Sequence, residues 1–348
     1  MLNDTIIKKL TLALENNYSD SILLSGGLDS STLLALSVKK LNRKPLAVTV
    51  SMNENCSDFL WAKKVTEHLS VEHNNLIVSP EEAIEEGLPE LIKLFNSFDI
   101  GLLNDLPCLF AVRTLKEKGY KNVMNGDGSD WLFGGFQFSW ELKEKYNEYI
   151  KGVLKHIDWS SKKITSSQGI RLTQPFLDEA FVRYALEIPF SKKVNMICND
   201  NYGDVAVGLL NKEDRFYDKA TNKKMWGKLA LRNALSDFLP NDVIWRQKTD
   251  LEFGSGTSEL SRILEEKISD EEYNSILKET NIIFIGGKAQ AYLYKIYKEW
   301  GGKIYRPTSE ESCINCGNII PTQRRHCQTC GYFDETKRSI RWTTSSSL

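Results

Sequence analysis

The chain has 348 residues, with 45 Lys and Arg against 46 Asp and Glu and a formal net charge of -1. This length exceeds what one hydrophobic core usually supports, so two or three domains are expected. The balanced charge excludes a global basic field for nucleic acid or membranes, and no apolar run approaches the roughly 18 residues of a membrane span, so a cytoplasmic protein without membrane contact is expected.

Short apolar strands alternate with helical stretches from Ser21 to Gly135, which predicts βαβ units around a parallel sheet. The predicted strands are Ile22 to Leu24, Leu46 to Val50, Asn75 to Val78 and Asn122 to Met124. The predicted helices are Thr32 to Leu41, Ser57 to Leu69, Glu81 to Phe95 and Leu106 to Lys118. Because ligands bind at the carboxyl ends of strands in such sheets, the loops after the first and fourth strands should share one site.

The strand signals fade from Trp140 onward, and helical patterns predict a second, helical lobe. Its predicted helices include Phe181 to Glu187, Met225 to Phe238 and Ala289 to Trp300. The polar segment from Gly301 to Ser309 predicts a linker into a C-terminal cysteine cluster. The expected division is an α/β domain over 1–140, the helical lobe over 141–302, a small cysteine-rich domain over 303–342 and a disordered tail over 343–348.

The loop after the first predicted strand reads Ser25-Gly26-Gly27-Leu28-Asp29-Ser30-Ser31. Two glycines let the backbone approach an anion, and the N-terminus of the following helix supplies partial positive charge. This predicts a pyrophosphate-binding loop, but not a Walker A motif, which requires a lysine after the glycines. Asp29 can instead hold magnesium, which suits cleavage of ATP between the α- and β-phosphates. The alternative is a glycine turn with a capping aspartate.

Seven cysteines fall into two groups. Cys56, Cys108 and Cys198 are scattered among apolar neighbours and are most simply reduced, partly buried residues. The other four form two C-x-x-C-G knuckles, with Cys313 and Cys316 in the first and Cys327 and Cys330 in the second. Four thiolates at this spacing predict a structural Zn²⁺ site, a zinc ribbon. Iron is the competing metal, and a pair of disulfides is the alternative.

Basic and aromatic residues surround the two knuckles. They are Arg324, Arg325, His326, Tyr332, Phe333, Lys337, Arg338, Arg341 and Trp342. This composition indicates either a docking surface for tRNA, a carrier protein or another subunit, or simply a solvated face.

The loop after the fourth predicted strand, Asn125 to Phe136, reads N-G-D-G-S-D-W-L-F-G-G-F. With the first loop, it resembles the synthetase domain of the asparagine synthetase family. Further matches in the same order are Pro175 to Asp178, Lys228 to Arg232, Leu239-Pro240 and Trp245 to Lys248. The resemblance extends from about Ser21 to about Gly256. It implies an N-type ATP pyrophosphatase with a Rossmann-like, adenine nucleotide alpha hydrolase-like fold.

The resemblance also implies roles for individual residues. The ATP-binding residues would be Ser25, Gly26, Gly27, Asp29, Ser30 and Ser31 with Gly126, Gly128 and Ser129. Asp29 and Asp130 would hold Mg²⁺ between the phosphates. Lys248 would stabilise charge on the α-phosphate. Asp127 stands at the family's catalytic glutamate, which handles the amine nucleophile, and is one methylene shorter.

The implied activity is that of an ATP-dependent ligase that forms AMP and pyrophosphate. It would adenylate a small-molecule carboxylate and transfer ammonia or an amine to give an amide, such as asparagine from aspartate. Only a short segment precedes the first loop, so a glutaminase domain is not expected there. The nitrogen would come from free ammonia, a separate glutaminase or an amine on the substrate itself.

Three features leave the substrate open. Trp131 stands where the family usually has an acid, and the stretch from Asp99 to Pro107 lacks an arginine suited to a small dicarboxylate. Asp178 either hydrogen-bonds the substrate or the helical lobe, or caps a helix beginning near Glu179. The alternatives are an adenylating enzyme that modifies a macromolecule such as tRNA or a carrier protein, and a non-catalytic nucleotide-binding scaffold subunit.

Overall fold

The fold is described from a computed structural model that covers residues 2–198, 217–218, 220–221, 223–280, 285–320 and 324–334. The predictions for Lys337, Arg338, Arg341, Trp342 and the tail 343–348 lie outside the described residues, as does the side chain of Cys198.

Five parallel strands form the central sheet. They are β1 (Ser21–Leu23), β2 (Leu46–Ser51), β3 (His73–Ile77), β4 (Asn122–Met124) and β5 (Arg171–Thr173). Their order in the sheet is β3-β2-β1-β4-β5, and Ile22 of β1 pairs with Ala47 on one side and Met124 on the other. The predicted α/β fold around a parallel sheet is confirmed.

Helices cover both faces of this sheet. In chain order they are α1 (Leu2–Asn16), α2 (Leu28–Lys39), α3 (Ser57–Leu69), α4 (Pro80–Glu82), α5 (Leu88–Phe95), α6 (Leu106–Glu117), α7 (Ser129–Phe133), α8 (Tyr146–His156), α9 (Ser160–Ser167), α10 (Glu179–Glu187), α11 (Phe190–Lys193), α12 (Leu229–Ala234), α13 (Asn241–Ile244), α14 (Leu251–Ser255), α15 (Glu259–Glu266), α16 (Asp270–Thr280) and α17 (Lys288–Glu299). A π-helical segment (Ala83–Gly87) joins α4 to α5, and 3₁₀ segments span Ile100–Asp105, Gln137–Lys145 and Pro175–Leu177.

All six residues of β2 are buried because side chains alternate between two hydrophobic cores. Leu46, Val48 and Val50 pack into the core that contains α5, α6, α17 and the cysteine cluster. Ala47 packs into the core formed with α1, α2, α10 and α12. A strand covered on both faces reads as a continuous apolar run, which is why the sequence predicts it well.

The segment after Trp140 contains more strand than the sequence predicts. β5 completes the parallel sheet, and β6 (Asn195–Cys198), β7 (Tyr217–Asp218) and β8 (Lys223–Trp226) form an antiparallel sheet in the order β6-β8-β7. The predicted helix from Met225 to Phe238 is therefore wrong at its start. Met225 pairs with Met196 across the sheet, and Lys228, with φ of 60°, leaves the helical region just before α12 begins.

Among the residues that the structure describes, no helix is both long enough and apolar enough to cross a lipid bilayer.

Candidate active site

Two loops open at the carboxyl ends of neighbouring strands. The first loop (residues 25–31) follows β1, and the second loop (residues 125–136) follows β4. β1 pairs with β4 on one side, whereas the chain continues from β1 to β2 on the other. In open parallel sheets this reversal of strand order creates the crevice where ligands bind.

Glycine is required in the first loop by its conformation and its packing. Gly26 has φ of 65°, and a Cβ there would lie 2.3 Å from the backbone nitrogen of Ala62 in α3. Helix α2 follows with Gly27 at its N-cap, so no side chain caps its first N–H groups. The positive end of the α2 dipole is therefore left for an anion at this crevice.

The ammonium group of Lys228 joins the two loops. Its Nζ lies 2.6 Å from Asp29 Oδ2 in the first loop and 2.8 Å from Asp130 Oδ1 in the second. Lys248 Nζ lies 3.3 Å from the same Asp130 oxygen. Burial opposes the charge on Lys228, but Asp130 and Asp29 raise its pKa above the ordinary lysine value. Burial likewise opposes ionisation of Asp130, yet the two lysines hold its pKa below the ordinary carboxyl value.

Asp29 and Asp130 are the residues that could hold a divalent metal between the loops. Carboxylate oxygens are the hard ligands that Mg²⁺ requires, and Lys228 shows that a cation is accommodated between these two side chains. Asp29 Oδ1 is buried and has no hydrogen-bond partner among the described residues. The donor set therefore fits Mg²⁺.

A buried arginine holds the backbone around Lys228. Arg232 Nε donates to the carbonyl of Gly227 at 3.1 Å, and its Nη1 donates to the carbonyls of Ile244 and, at 3.2 Å, Arg246. Burial lowers the pKa of Arg232 to about 10, which leaves it charged at neutral pH. These bonds tie the segment that carries Lys228 to the segment that carries Lys248.

A second buried arginine, Arg246, anchors the first loop through a backbone carbonyl. Arg246 Nη2 lies 3.0 Å from Asp58 Oδ1, with both side chains 7% exposed, and its Nη1 donates to the carbonyl of Ser25 at 3.3 Å. Burial raises the pKa of Asp58 to about 6, against the opposing effect of the Arg246 charge. The W-R-x-K match thus supplies a loop anchor at Arg246 and a cation at Lys248.

Asp127 of the second loop is held by three donors. Its Oδ2 accepts hydrogen bonds from Asn125 Nδ2 at 2.6 Å, Ser161 Oγ at 2.6 Å and Gln174 Nε2 at 2.9 Å. Burial raises the pKa of Asp127, although these three bonds act in the opposite direction. The result is a carboxylate of fixed orientation with increased basicity.

A cavity of about 380 Å³ collects most of the predicted ATP and catalytic residues. Those that line it are Ser25, Gly27, Asp29, Ser30, Gly126, Asp127, Gly128 and Asp130. We call it the acidic cavity, because Asp58 and Asp105 line it as well. An adjoining cavity of about 250 Å³, the cation-lined cavity, is bordered by Lys228, Arg232, Arg246 and Lys248 together with Asp29, Asp58, Asp130 and Asp250.

Three predicted ATP-binding residues do not line the acidic cavity. Gly26 packs against α3. Ser31 and Ser129 are fully buried, and their hydroxyl groups have no hydrogen-bond partner among the described residues. Any role of their side chains in binding would require the surrounding loops to move.

The aromatic side chain of Trp131 borders the acidic cavity. Its ring centroid lies 4.6 Å from the ring centroid of Phe136 and 6.1 Å from that of Phe138. Lys248 Nζ lies 4.1 Å from the Phe136 ring centroid, within cation–π range. Trp131, at the position where the resemblance implies an acid, is thus part of an aromatic cluster beside Lys248.

Asp178, for which the sequence left two roles open, is a helix cap. Its Oδ1 accepts from the backbone N–H groups of Ala180 and Phe181 at 3.0 and 3.2 Å. Its Oδ2 accepts from Asn17 Nδ2 at 3.2 Å. The side chain is therefore engaged at the start of α10.

Several residues at the site were not singled out as candidates from the sequence. Lys228 falls within the K-x-x-L-R match, which was the available signal. Asp105 lies in the stretch noted only for its missing arginine, and it accepts a 2.6 Å bond from Ser160 Oγ. Gln174 lies in the Arg171 to Asp178 segment that resembles a family element, whereas Ser161 carried no signal. Their contacts with Asp127 depend on distant segments meeting after β4.

The four C-terminal cysteines form a compact cluster in which no disulfide is present. The Sγ atoms of Cys313 and Cys330 are 3.7 Å apart, and those of Cys316 and Cys327 are 3.6 Å apart. Four sulfurs at about 2.3 Å from one tetrahedral zinc ion lie about 3.8 Å from one another. The donor set and its spacing therefore fit Zn²⁺.

The cysteine cluster is hydrogen-bonded to the segment before the 3₁₀ turn Ile100–Asp105 and to α17. Thr329 O accepts hydrogen bonds from Phe98 N–H at 2.7 Å and Ser97 Oγ at 3.2 Å. Gln290 Nε2 donates to the carbonyl of Cys330 at 2.6 Å. The 3₁₀ segment that begins two residues after Phe98 ends at Asp105, which lines the acidic cavity, so this segment connects the cluster's contacts to the cavity.

A family model and several known proteins match most of this chain. The family model described as asparagine synthase matches residues 14–163 and 148–295. A probable glutamine-hydrolysing asparagine synthetase of Dictyostelium discoideum is 28% identical over 281 residues, which cover 72% of this chain and 46% of that protein. A putative glutamine-hydrolysing asparagine synthetase of Methanocaldococcus jannaschii is 29% identical over 250 residues, which cover 68% and 45%.

The chain spans about half the length of the curated relatives it matches. Among solved structures, NMN synthetase from Francisella tularensis is similar at 16% identity and a TM-score of 0.29, with 86% of this chain and 92% of that chain covered. The match to the family model extends over both loops, Lys228 and Lys248. The chain belongs to the asparagine synthase family.

Proposed function

We propose that the protein is an ATP-dependent ligase that adenylates a carboxylate and then transfers ammonia or an amine to form an amide. The observation that carries this proposal is the convergence of Asp29 and Asp130, from two separate loops, on the Lys228 ammonium group beside Lys248. Paired carboxylates and paired lysines at a switch point suit a metal-bound triphosphate.

The phosphates of ATP would lie at the first loop. The N-terminus of α2 and the close-packed Gly26 allow backbone N–H groups to contact phosphate oxygens, with Gly126 and Gly128 forming the opposing loop. Asp29 and Asp130 would hold Mg²⁺, which neutralises phosphate charge when bound. Lys228 and Lys248 supply further positive charge along the cation-lined cavity.

In the first step, a carboxylate oxygen of the substrate attacks the α-phosphorus of ATP. The bond between the α-phosphorus and the bridging oxygen breaks, and pyrophosphate leaves with the electron pair. Lys248, whose Nζ lies 3.3 Å from Asp130 Oδ1, would stabilise the charge that develops on the phosphate oxygens. The product is an acyl-adenylate.

In the second step, the nitrogen lone pair attacks the acyl carbon, and the bond from this carbon to the AMP oxygen breaks. The attacking nitrogen loses a proton, which we assign to Asp127. Three donors engage Asp127 Oδ2, so Oδ1 is the oxygen that we assign to the proton. Its raised pKa makes it a better base than an ordinary carboxylate.

We further propose that the Cys313, Cys316, Cys327 and Cys330 cluster holds a structural Zn²⁺. Four thiolates leave no position open for substrate, so the ion would act on folding and not on chemistry. The contacts from Thr329 to Phe98 and Ser97 support a role in holding the segment that leads to Asp105.

The products of ATP cleavage test the ligase proposal. Incubation with ATP, Mg²⁺, ammonia or amines and a panel of carboxylic acids should give AMP and pyrophosphate in equal amounts, measured by ³¹P NMR. Lys248→Met should slow this release about 100-fold or more, because one preorganised cation is lost at the α-phosphate. Lys223→Met, which removes an exposed lysine of β8, is the matched control. Formation of ADP and phosphate would contradict the proposal.

Asp127→Asn should separate the two steps. Amide formation should fall about 100-fold or more, since the proton acceptor is lost, while acid-dependent exchange of pyrophosphate into ATP stays near the wild-type rate. In the wild type, amide formation should decline as the pH falls through the Asp127 pKa, at a higher pH than for an ordinary carboxyl.

Asp127→Glu, which restores the acid usual in the family, should retain amide formation. It should also retain the decline of amide formation at low pH. Equal loss of pyrophosphate exchange and amide formation in Asp127→Asn would show that Asp127 does not act specifically on the nitrogen.

Removal of the metal should loosen the segment next to the cluster. Cys316→Ser should lower the zinc content measured by mass spectrometry, and the Phe98 amide, which donates to Thr329 O, should exchange with solvent faster. Cys56→Ser, at a buried cysteine outside the cluster, should retain the metal and the slow exchange. A full zinc content in Cys316→Ser, or another metal in the wild type, would contradict the assignment.

A further inference from the structure

The charges around the site are divided between two adjoining cavities. Five aspartates line the acidic cavity, and none of its described lining residues is a lysine, an arginine or a histidine. The cations lie instead along the cation-lined cavity. A substrate that enters the acidic cavity therefore encounters carboxylates without a basic side chain.

Three of the five aspartates are compensated from outside the cavity. Lys228 contacts Asp29 and Asp130, and Arg246 contacts Asp58. Asp105 and Asp127 differ, because no lysine, arginine or histidine in the described ranges forms an ion pair with either. The negative charge that remains available to a ligand is thus concentrated at Asp105 and Asp127.

The first turn of α9 holds this pair in place. Ser160 Oγ lies 2.6 Å from Asp105 Oδ1, and the next residue, Ser161, places its Oγ 2.6 Å from Asp127 Oδ2. Two adjacent residues of α9 therefore each hydrogen-bond one of the two carboxylates, and all four residues line the acidic cavity. Burial raises the pKa of Asp105 to about 6, with a further contribution from the charge on Asp127, so Asp105 is mostly ionised at neutral pH.

Aromatic rings complete the surroundings of the pair. Trp131 and Trp159 both line the acidic cavity. The faces of tryptophan rings attract ammonium groups, whereas a carboxylate gains nothing from them. Carboxylates and indole rings in one cavity without a cation match the chemistry of an alkylammonium ligand.

We propose that Asp105 determines substrate specificity by binding a protonated amino group, so that the acidic cavity accepts an amine-bearing substrate and rejects a small dicarboxylate. This inference rests on the proposed function, because it assigns one subsite of the proposed ligase. It concerns recognition by Asp105, which is distinct from the proton transfer assigned to Asp127. A dicarboxylate would place at least one carboxylate beside Asp105 and Asp127, with which no described lysine, arginine or histidine forms an ion pair.

Two probes of equal carbon number and opposite charge test this proposal. Binding of butane-1,4-diamine and of succinate to the full chain is measured by calorimetry at constant ionic strength, with saturating Mg²⁺ and α,β-methylene-ATP. The wild type should bind the diamine, with no binding of succinate. Asp105→Asn, which keeps the shape and removes the charge, should weaken diamine binding about tenfold or more.

Matched variants separate specific recognition from general electrostatics. Asp20→Asn removes an exposed carboxylate outside the site and should leave the diamine affinity unchanged. Asp105→Glu should recover most of the affinity, which excludes misfolding as the cause of the loss. Equal diamine affinity in Asp105→Asn and Asp20→Asn, or binding of succinate as tight as that of the diamine, would overturn the proposal.

The ligase assignment is measured separately by pyrophosphate release. Diamine binding that depends on Asp105 would support this inference even if no pyrophosphate were released, whereas pyrophosphate release with diamine binding independent of Asp105 would overturn this inference alone.

Discussion

The buried ammonium group of Lys228 is the interaction on which the site depends. Asp29 and Asp130 come from loops about 100 positions apart in the chain, and their carboxylates would repel each other in a partly buried crevice without a cation between them. The strand order brings the loops together, and the left-handed backbone at Lys228 turns its side chain toward both. Arg232 then stabilises that turn by donating hydrogen bonds to the backbone carbonyls of Gly227 and Ile244. Removing Lys228, Asp29 or Asp130 would leave an uncompensated buried charge, so the arrangement of each depends on the other two.

This arrangement also divides the work proposed for the enzyme. The cations lie along the cation-lined cavity, where the proposed triphosphate and its developing charge would need them. The carboxylates lie along the acidic cavity, where the proposed nitrogen nucleophile would bind and lose a proton. Asp130 borders both cavities, and Lys248 contacts it from the side of the Phe136 ring. A reaction with an anionic leaving group and an amine acceptor fits such a division of charge.

The sequence predicts what depends on local pattern. The buried strand β2 is a continuous apolar run in the sequence. The first loop needs glycine at position 26 because of its positive φ and its close packing on α3, so both features are found from the sequence. β5 and β8 are missed because short strands with few apolar residues are defined by their partners, here β4 and β6. Asp105 is missed for the same reason. Its proposed role rests on the contact with Ser160 and on the lack of an ion pair with any described lysine, arginine or histidine, and neither can be seen before the segments are assembled.

In the proposed reaction a substrate carboxylate, and not water, attacks the α-phosphate at this site. An acid that supports pyrophosphate release, labelled with ¹⁸O in its carboxyl group, tests the claim directly. The carboxyl oxygen that attacks the phosphorus stays with AMP when the nitrogen displaces it from the acyl carbon. Mass spectrometry should therefore find one labelled oxygen in each AMP, and AMP without the label would contradict the account.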